Sequence, residues 1–124
     1  MRVREVNPRH LEQLAMNIIN LTQHDIVIAL PDETRITIPP TAPAARMATK
    51  TLQLPPVNTI PVVTTEFGDV QNLPEPQPDT IYVVSTLIAQ RVRRVDVLSP
   101  DTGPTAIRNA NNQIEAVRAL QSFA

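Results

Sequence analysis

The sequence predicts a mainly β (β-rich α+β) protein with an N-terminal helix and one short internal helix. The strands are expected to form a compact antiparallel or mixed small sheet, or a partly open barrel. The 124 residues are the size of one domain that can bury a core without metal or disulfide. Apolar residues make up 42% of the chain and fall in short runs between prolines and polar turns, as strands do. Thirteen prolines against two glycines stiffen the connections by restricting φ. We therefore expect a helical extension over residues 1–17 and a single β-rich domain over residues 18–124.

The N-terminal extension has the signals of a short helix over residues 7–16. Asn7 is suited to the N-cap, and Pro8 to the first helical position, where its missing N–H is no loss. Leu11 and Leu14 then form part of one apolar stripe. A helix of this length is marginal alone, so both leucines are predicted to contact the body of the domain or another chain.

Short apolar runs bounded by turn residues predict strands over residues 18–21, 26–30, 35–38, 44–54, 60–67, 80–84, 95–98 and 114–120. The polar residues 31–34 suggest a hairpin loop between the second and third of these strands. Pro39-Pro40 and Pro55-Pro56 are expected to end strands, because proline cannot donate to a central ladder. Gly68-Asp69 is expected to form a turn.

The segment from Leu73 to Ser85 combines a proline-spaced lead-in with an apolar run. Pro74, Pro76 and Pro78 favour polyproline II geometry, and residues 80–84 are predicted to be the central core strand. Ser85 is suited to cap a short helix over residues 85–92. Residues 99–104 are expected to form a polar loop after the following strand.

Charge and composition exclude several classes of partner. A net charge of −1 gives no long-range field to attract nucleic acid or an anionic membrane. The chain has no cysteine, which removes disulfide and zinc-thiolate chemistry. No apolar run approaches the roughly 20 residues of a membrane span, and the first residues lack the apolar core of a signal peptide. We expect a protein that is neither secreted nor in a membrane.

Four motifs in order resemble a family of small proteins from phages, cyanobacteria and actinobacteria with no established activity. The motifs are Asn20-Leu-Thr-Gln-His24, Ile38-Pro-Pro with Ala45-Arg46, Leu73-Pro-Glu-Pro with Thr80-Ile-Tyr-Val-Val-Ser85, and Arg94-Val-Asp-Val-Leu-Ser-Pro-Asp101. The resemblance covers about residues 18–123, so the N-terminal extension is an addition. Asn111-Asn112-Gln113 also replaces a glycine turn that many of these proteins carry, although asparagine tolerates the same conformation. The resemblance implies a location in the host cytoplasm or the virion, and it does not indicate a mechanism.

Asn20, Thr22 and His24 stand at alternate positions and could share one face of an extended segment. They would then form a polar cluster for a ligand, with His24 as donor or acceptor. The alternative is a turn in which Thr22 and Asp25 satisfy backbone groups and His24 is solvated. His10 and His24 lack the spacing of a metal site.

No enzyme motif is recognisable. Ser85 and Ser99 lack the G-x-S-x-G setting of a nucleophile elbow, and two glycines cannot build a phosphate-cradling loop. Four acidic residues form an acidic patch on a predicted turn and a proline-rich segment, where carboxylates are usually solvated; they are Glu66, Asp69, Glu75 and Asp79. We expect no catalytic residues, no cofactor and no metal.

Arginines are the candidates for anion contact, because their planar forks bind phosphate and carboxylate in bidentate fashion. The candidates are Arg91, Arg93 and Arg94, with Arg46 and Arg108. The alternative is that these arginines pair with Asp96, Asp101 or the acidic patch, within the chain or across an oligomer. Too few aromatic residues are present to stack on nucleic acid.

Two functions therefore stay open as expectations. The first is a non-enzymatic structural protein of a phage particle, such as a capsid cement or decoration subunit, which contacts itself or the major capsid protein and forms a homo-oligomer. The second is a small-molecule binder that sequesters a host nucleotide signal. Its ligand contacts would be Asn20, His24, Arg46, Arg94 and Asp96. A homo-oligomeric scaffold without a ligand is a third, plainer possibility.

Overall fold

A computed structural model describes residues 16–124, so the predicted N-terminal helix, with Leu11 and Leu14, lies outside the described residues. Within them the chain forms short strands and one helix, α1. The strands are β1 (Asn17–Asn20), β2 (Ile26–Ala29), β3 (Arg35–Ile38), β4 (Arg46–Val57), β5 (Ile60–Gln71), β6 (Thr80–Val83), β7 (Val97–Pro100), β8 (Ile107–Arg108), β9 (Ile114–Ala116) and β10 (Leu120–Ser122). Helix α1 spans Thr86–Val92. The predicted mainly β class is confirmed, as several small sheets rather than a closed barrel.

The central sheet has the strand order β1-β6-β7-β10 and is mixed. Strand β6 pairs in parallel with β1 on one side and with β7 on the other, and β10 runs antiparallel to β7. Parallel neighbours need a crossover connection, and α1 supplies it between β6 and β7. Residues 82–84 are almost completely inaccessible to solvent, so the prediction that this run is the central core strand is confirmed.

Two apolar clusters lie on opposite faces of β6, as the alternation of side chains along a strand requires. Tyr82 and Val84 join a cluster with α1 through Ile88. Val83 joins the other cluster, whose members include Ile28 of the β2–β3 hairpin. Strand β6 therefore contributes side chains to both apolar clusters and connects them.

The β2–β3 hairpin is joined by the loop predicted over residues 31–34. Leu30 donates its N–H to the carbonyl of Thr34, and Glu33 has a φ of 69°. Single bridges tie the hairpin to the body, between Ile28 and Val117 and between Asn20 and Pro40.

Strands β4 and β5 form a separate two-stranded antiparallel hairpin, here called the β-arm, and two expectations about it are wrong. Pro55-Pro56 does not end β4, because the ladder shifts register between Leu54 and Val57 and the strand has no other neighbour to bond. Gly68-Asp69 is not a turn but part of β5. Gly68 lies beside a second register shift, where a Cβ atom would stand 3.4 Å from the Ala48 side chain.

Three smaller expectations also need correction. The predicted closing strand over residues 114–120 is two strands, of which β9 pairs with β8 and β10 with β7. Ser85 occupies the N-cap position of α1, but its side chain makes no capping hydrogen bond. The strand predicted from Val95 begins at Val97, because residues 94–97 form a turn in which the Val97 N–H bonds the carbonyl of Arg94. The strand runs on to include Ser99, which is fully buried.

Candidate functional site

The β-arm is the most distinctive feature of the described surface. Each of its strands has 12 residues, which corresponds to an arm about 40 Å long. A two-residue turn joins the strands, with φ of 48° at Asn58 and 67° at Thr59, as in a type I′ hairpin. Such turns match the natural twist of two strands, so the sequence closes this hairpin locally.

Among residues 16–124, the packing of the arm on the body is at its root. Met47 and Val70 contact the apolar cluster around α1, and Phe67 is half-buried beside Leu87 of the helix. The registers Met47↔Val70 and Thr49↔Phe67 place these root residues on one face of the arm.

The other face of the arm carries aliphatic side chains toward the tip. The register of the two strands places five aliphatic residues on this face, here called the aliphatic face: Leu52, Leu54, Val57, Ile60 and Val62. Exposure is 46% for Leu54, 59% for Val57 and 61% for Ile60. Apolar side chains grouped at the end of a projecting hairpin indicate a contact surface, whereas single exposed ones are ordinary.

The edges of the tip are unsuited to strand addition. Pro55 and Pro56 lie on the edge formed by β4, and Pro61 lies on the edge formed by β5. Proline has no N–H to donate to an added strand and is a usual protection of exposed edges. A partner of the tip therefore meets its face rather than its edge.

A cavity of about 340 Å³ forms a second candidate site. It opens where the parallel strands β1, β6 and β7 end, the edge at which α/β sheets usually bind ligands. Its lining is mainly apolar and includes hydroxyls, carboxylates and one imidazole. The lining residues are Thr22, His24, Asp25, Ile26, Val27, Ser85, Thr86, Pro100, Thr102, Ile114, Glu115, Ala116 and Val117.

Asn20, a predicted ligand residue, holds a turn instead. Its amide donates to the carbonyls of His24 and Ile38, both at 2.8 Å, and its Oδ1 accepts from the N–H and the hydroxyl of Thr22 at 2.8 and 2.7 Å. Asn20 is completely buried. The turn interpretation of this segment therefore holds for Thr22, whose hydroxyl donates to the carbonyl of His24 at 3.0 Å. His24 is exposed, as that interpretation expects, and it also lines the cavity.

Arg94 and Asp96 form a bidentate ion pair within the chain. The two hydrogen bonds measure 3.0 and 2.7 Å, and the side chains are 25% and 15% exposed. The Arg94 hydrogen bonds lower the pKa of the Asp96 carboxyl, and the same bonds raise the pKa of the guanidinium. The guanidinium lies 6.0 Å from the centre of the Tyr82 ring, and the Tyr82 hydroxyl donates to the carbonyl of Glu75 at 3.3 Å. This network attaches the proline lead-in to the central sheet.

The structure separates the other predicted contact residues. Arg46 begins the arm opposite Gln71, and Arg91 lies beside the arm root. Arg93 ends α1 in the left-handed conformation, with its N–H bonded to the carbonyl of Ala89. The Asp101 carboxylate accepts from the N–H of Gly103 at 3.0 Å. Of the predicted residues, only His24 lines the cavity.

Sequence reasoning missed the arm. The alternation of Leu52 and Leu54 before Asn58-Thr59, and of Ile60 and Val62 after it, was a usable signal for a hairpin with one apolar face. The prolines between them concealed it.

Over residues 16–124, no group of acidic or histidine side chains could hold a metal ion, and no helix is long and apolar enough to cross a membrane. Comparison with protein-family models, with curated proteins and with solved structures found no match.

Proposed function

We propose that the chain is a non-enzymatic structural protein that acts through protein–protein contacts made by its β-arm. The specific role proposed is that of a cement or decoration subunit of a phage capsid, with itself or the major capsid protein as partner. One observation carries the proposal: a hairpin about 40 Å long projects from a small body and carries exposed aliphatic side chains near its tip.

The energetics of the arm support a role in contact. A lone two-stranded hairpin is marginally stable in water, because it buries little on either face. The root gains support from the core, but Leu54, Val57 and Ile60 are about half exposed or more. A partner that covers these side chains removes apolar surface from water and also orders the hairpin. The stiff type I′ turn and the three tip prolines reduce the entropy lost on binding.

The proposal is tested by replacing the cross-strand pair Val57 and Ile60 with Lys and Glu. This double variant keeps the net charge and an attractive cross-strand pair, but it removes the aliphatic surface. The matched control is Thr51→Lys with Thr65→Glu, a cross-strand pair on the opposite face whose members are both exposed.

Binding is measured by co-sedimentation with capsid shells assembled from the major capsid protein of the same phage. We expect the chain and the control to sediment with the shells and the Val57/Ile60 variant to stay in the supernatant. Equal sedimentation of both variants would reject the arm as the contacting element. If no version of the chain bound the shells, the capsid role would be lost.

The cavity favours a second candidate, a small-molecule binder. Its volume, about 340 Å³, is within the range of ligand pockets. The residues that line it include His24 and four hydroxyls but no arginine or lysine, which disfavours a phosphate-bearing nucleotide signal. Calorimetry against cyclic and ADP-ribose-type nucleotides, and against the corresponding nucleosides without phosphate, tests this candidate, with His24→Ala as the variant. Heat of binding that disappears in the variant would support it, and no heat for the unchanged chain would remove it.

A further inference from the structure

We infer that the aliphatic face is a homotypic interface, through which two copies of the chain pair their β-arms face to face around a two-fold axis parallel to the arms. The inference rests on the proposed contact role of the arm and adds the identity of one partner. It depends on the pattern of residues across the two strands rather than on their apolar character alone.

The face is self-complementary about such an axis. A two-fold rotation about an axis parallel to the arm places each β4 residue of one copy opposite a β5 residue of the other copy. That β5 residue is the one with which it pairs across the hairpin within its own copy. Leu54 is paired with Val62 and Val57 with Ile60, whereas Leu52, further from the tip, is paired with Thr64. Aliphatic side chains therefore meet aliphatic side chains along the tip.

Charge fixes the choice of axis. Lys50 and Glu66 are cross-strand partners on the same face, just below the aliphatic residues. Both side chains are exposed. In the part of the chain that the structure describes, they do not form an ion pair with each other. The parallel two-fold sets the Lys50 of each copy opposite the Glu66 of the other, which makes two reciprocal pairs.

The other face-to-face arrangement is less favourable. With the two-fold axis perpendicular to the arms and centred near Leu54, the arms run antiparallel. Lys50 of one copy then lies over the tip of the other, near Val57. Glu66 lies beside Lys50 on the same face, so each copy places both charges against aliphatic surface, with no charge of the other copy opposite them. Pairing through the strand edges is disfavoured by Pro55, Pro56 and Pro61.

The size of the face predicts a weak contact. Two strands of about eight residues cover about 25 by 10 Å. The resulting area of about 250 Å² per copy is well below the roughly 800 Å² per partner of a standard stable interface. Arm pairing is therefore weak and forms only where copies of the chain are concentrated. Because the aliphatic face cannot cover a capsid subunit and a second arm at the same time, arm pairing competes with binding of that face to the shell.

The test uses two charge-reversed single variants, Lys50→Glu and Glu66→Lys, in the full chain. The first leaves two carboxylates at the base of the face and the second leaves two ammonium groups, so each variant repels its own copies. Mixed one to one, the two variants attract each other through both pairs. The mixture isolates contacts between copies, because each variant has the same damaged cross-strand pair alone and mixed.

Self-association is measured by sedimentation velocity over a concentration series at low salt. We expect the unchanged chain to dimerise weakly, each single variant to associate about tenfold less tightly, and the mixture to recover the affinity of the unchanged chain. Raising the salt should shrink these differences, because exposed charges are screened. Thr51→Lys with Thr65→Glu, on the opposite face, should dimerise like the unchanged chain.

Three outcomes overturn the inference: an unchanged chain that stays monomeric at millimolar concentration, a mixture no tighter than its components, or a loss of dimer with the opposite-face control. The shell-sedimentation assay separates the two proposals. Chains that bind shells but never associate with each other would reject arm pairing and leave the proposed function intact. Failure in both assays would reject both.

Discussion

Asn20→Ala tests whether this buried amide holds the fold or serves a ligand. The side chain makes four hydrogen bonds, two as donor and two as acceptor, and it has no exposed surface. It joins the end of β1 to the end of β3 through the carbonyl of Ile38. Alanine removes all four bonds and leaves the Ile38 carbonyl and the Thr22 N–H without this partner.

The cost follows from the count of bonds. A net contribution of about 1 kcal/mol per hydrogen bond gives up to about 4 kcal/mol. His24 and part of Thr22 are open to solvent, so water replaces some of the loss. We expect a decrease of about 3 kcal/mol in the free energy of unfolding, which corresponds to a fall of roughly 12 °C in Tm for a domain of this size.

Urea unfolding followed by circular dichroism measures the change, with the slope of the transition checked for constancy. Asn17→Ala is the matched control, because Asn17 is exposed on the same strand, and it should cost less than about 0.5 kcal/mol. Asn20→Asp keeps the acceptor oxygens but loses the two donors, so it should remain destabilised. A loss below about 1 kcal/mol for Asn20→Ala would refute the structural role.

Further predictions concern the Arg94–Asp96 pair and the arm turn. Arg94→Ala leaves the carboxylate of Asp96, 15% exposed, without its partner, so unfolding should become easier by about 2 kcal/mol in urea titrations. The pKa of Asp96 is lowered in the folded protein. Its contribution is therefore present above the ordinary aspartate pKa of about 3.9 and is lost as the pH falls through the lowered value. Asp96→Asn should flatten this part of the acid limb of a stability–pH curve, and an unchanged limb would contradict the assignment. Thr59 is β-branched at a φ of 67°, so Thr59→Gly should relieve roughly 1 kcal/mol of backbone strain. Amide hydrogen exchange at the arm tip should then slow about fivefold, and faster exchange would show that the arm gains nothing from glycine there.

The elements that could be predicted from the sequence are those whose signals are local. The apolar run before Ser85 is buried on both faces, so its composition alone marked it as the central strand. The loop over residues 31–34 could also be predicted, because it consists of polar turn residues. Helix α1 could be predicted from its short apolar stripe. His24 was identified as a candidate ligand contact, and it does line a cavity.

The elements that were missed depend on which segments and side chains pair with each other, and the residue types alone do not show this. Proline is unfavourable in a central strand, but the local sequence does not show that β4, among the described strands, pairs only with β5. Pro55-Pro56 therefore predicted the wrong end for β4. The continuous run over residues 114–120 divides because β9 and β10 pair with different strands. For Arg94 and Asp96 the sequence left a ligand site and an ion pair as alternatives, and the geometry shows the ion pair.

The strands of the central sheet are far apart in the sequence, and this separation constrains the order in which the protein folds. Strand β1 pairs with β6, more than 60 residues later, whereas the β2–β3 and β4–β5 hairpins connect neighbouring segments. Local pairings close quickly, and distant ones must first overcome the entropy of the intervening loop. During synthesis the hairpins can therefore form while β1 still waits for β6 to leave the ribosome. Until then β1 presents an unpaired edge, so this interval is when the nascent chain is most open to wrong pairing.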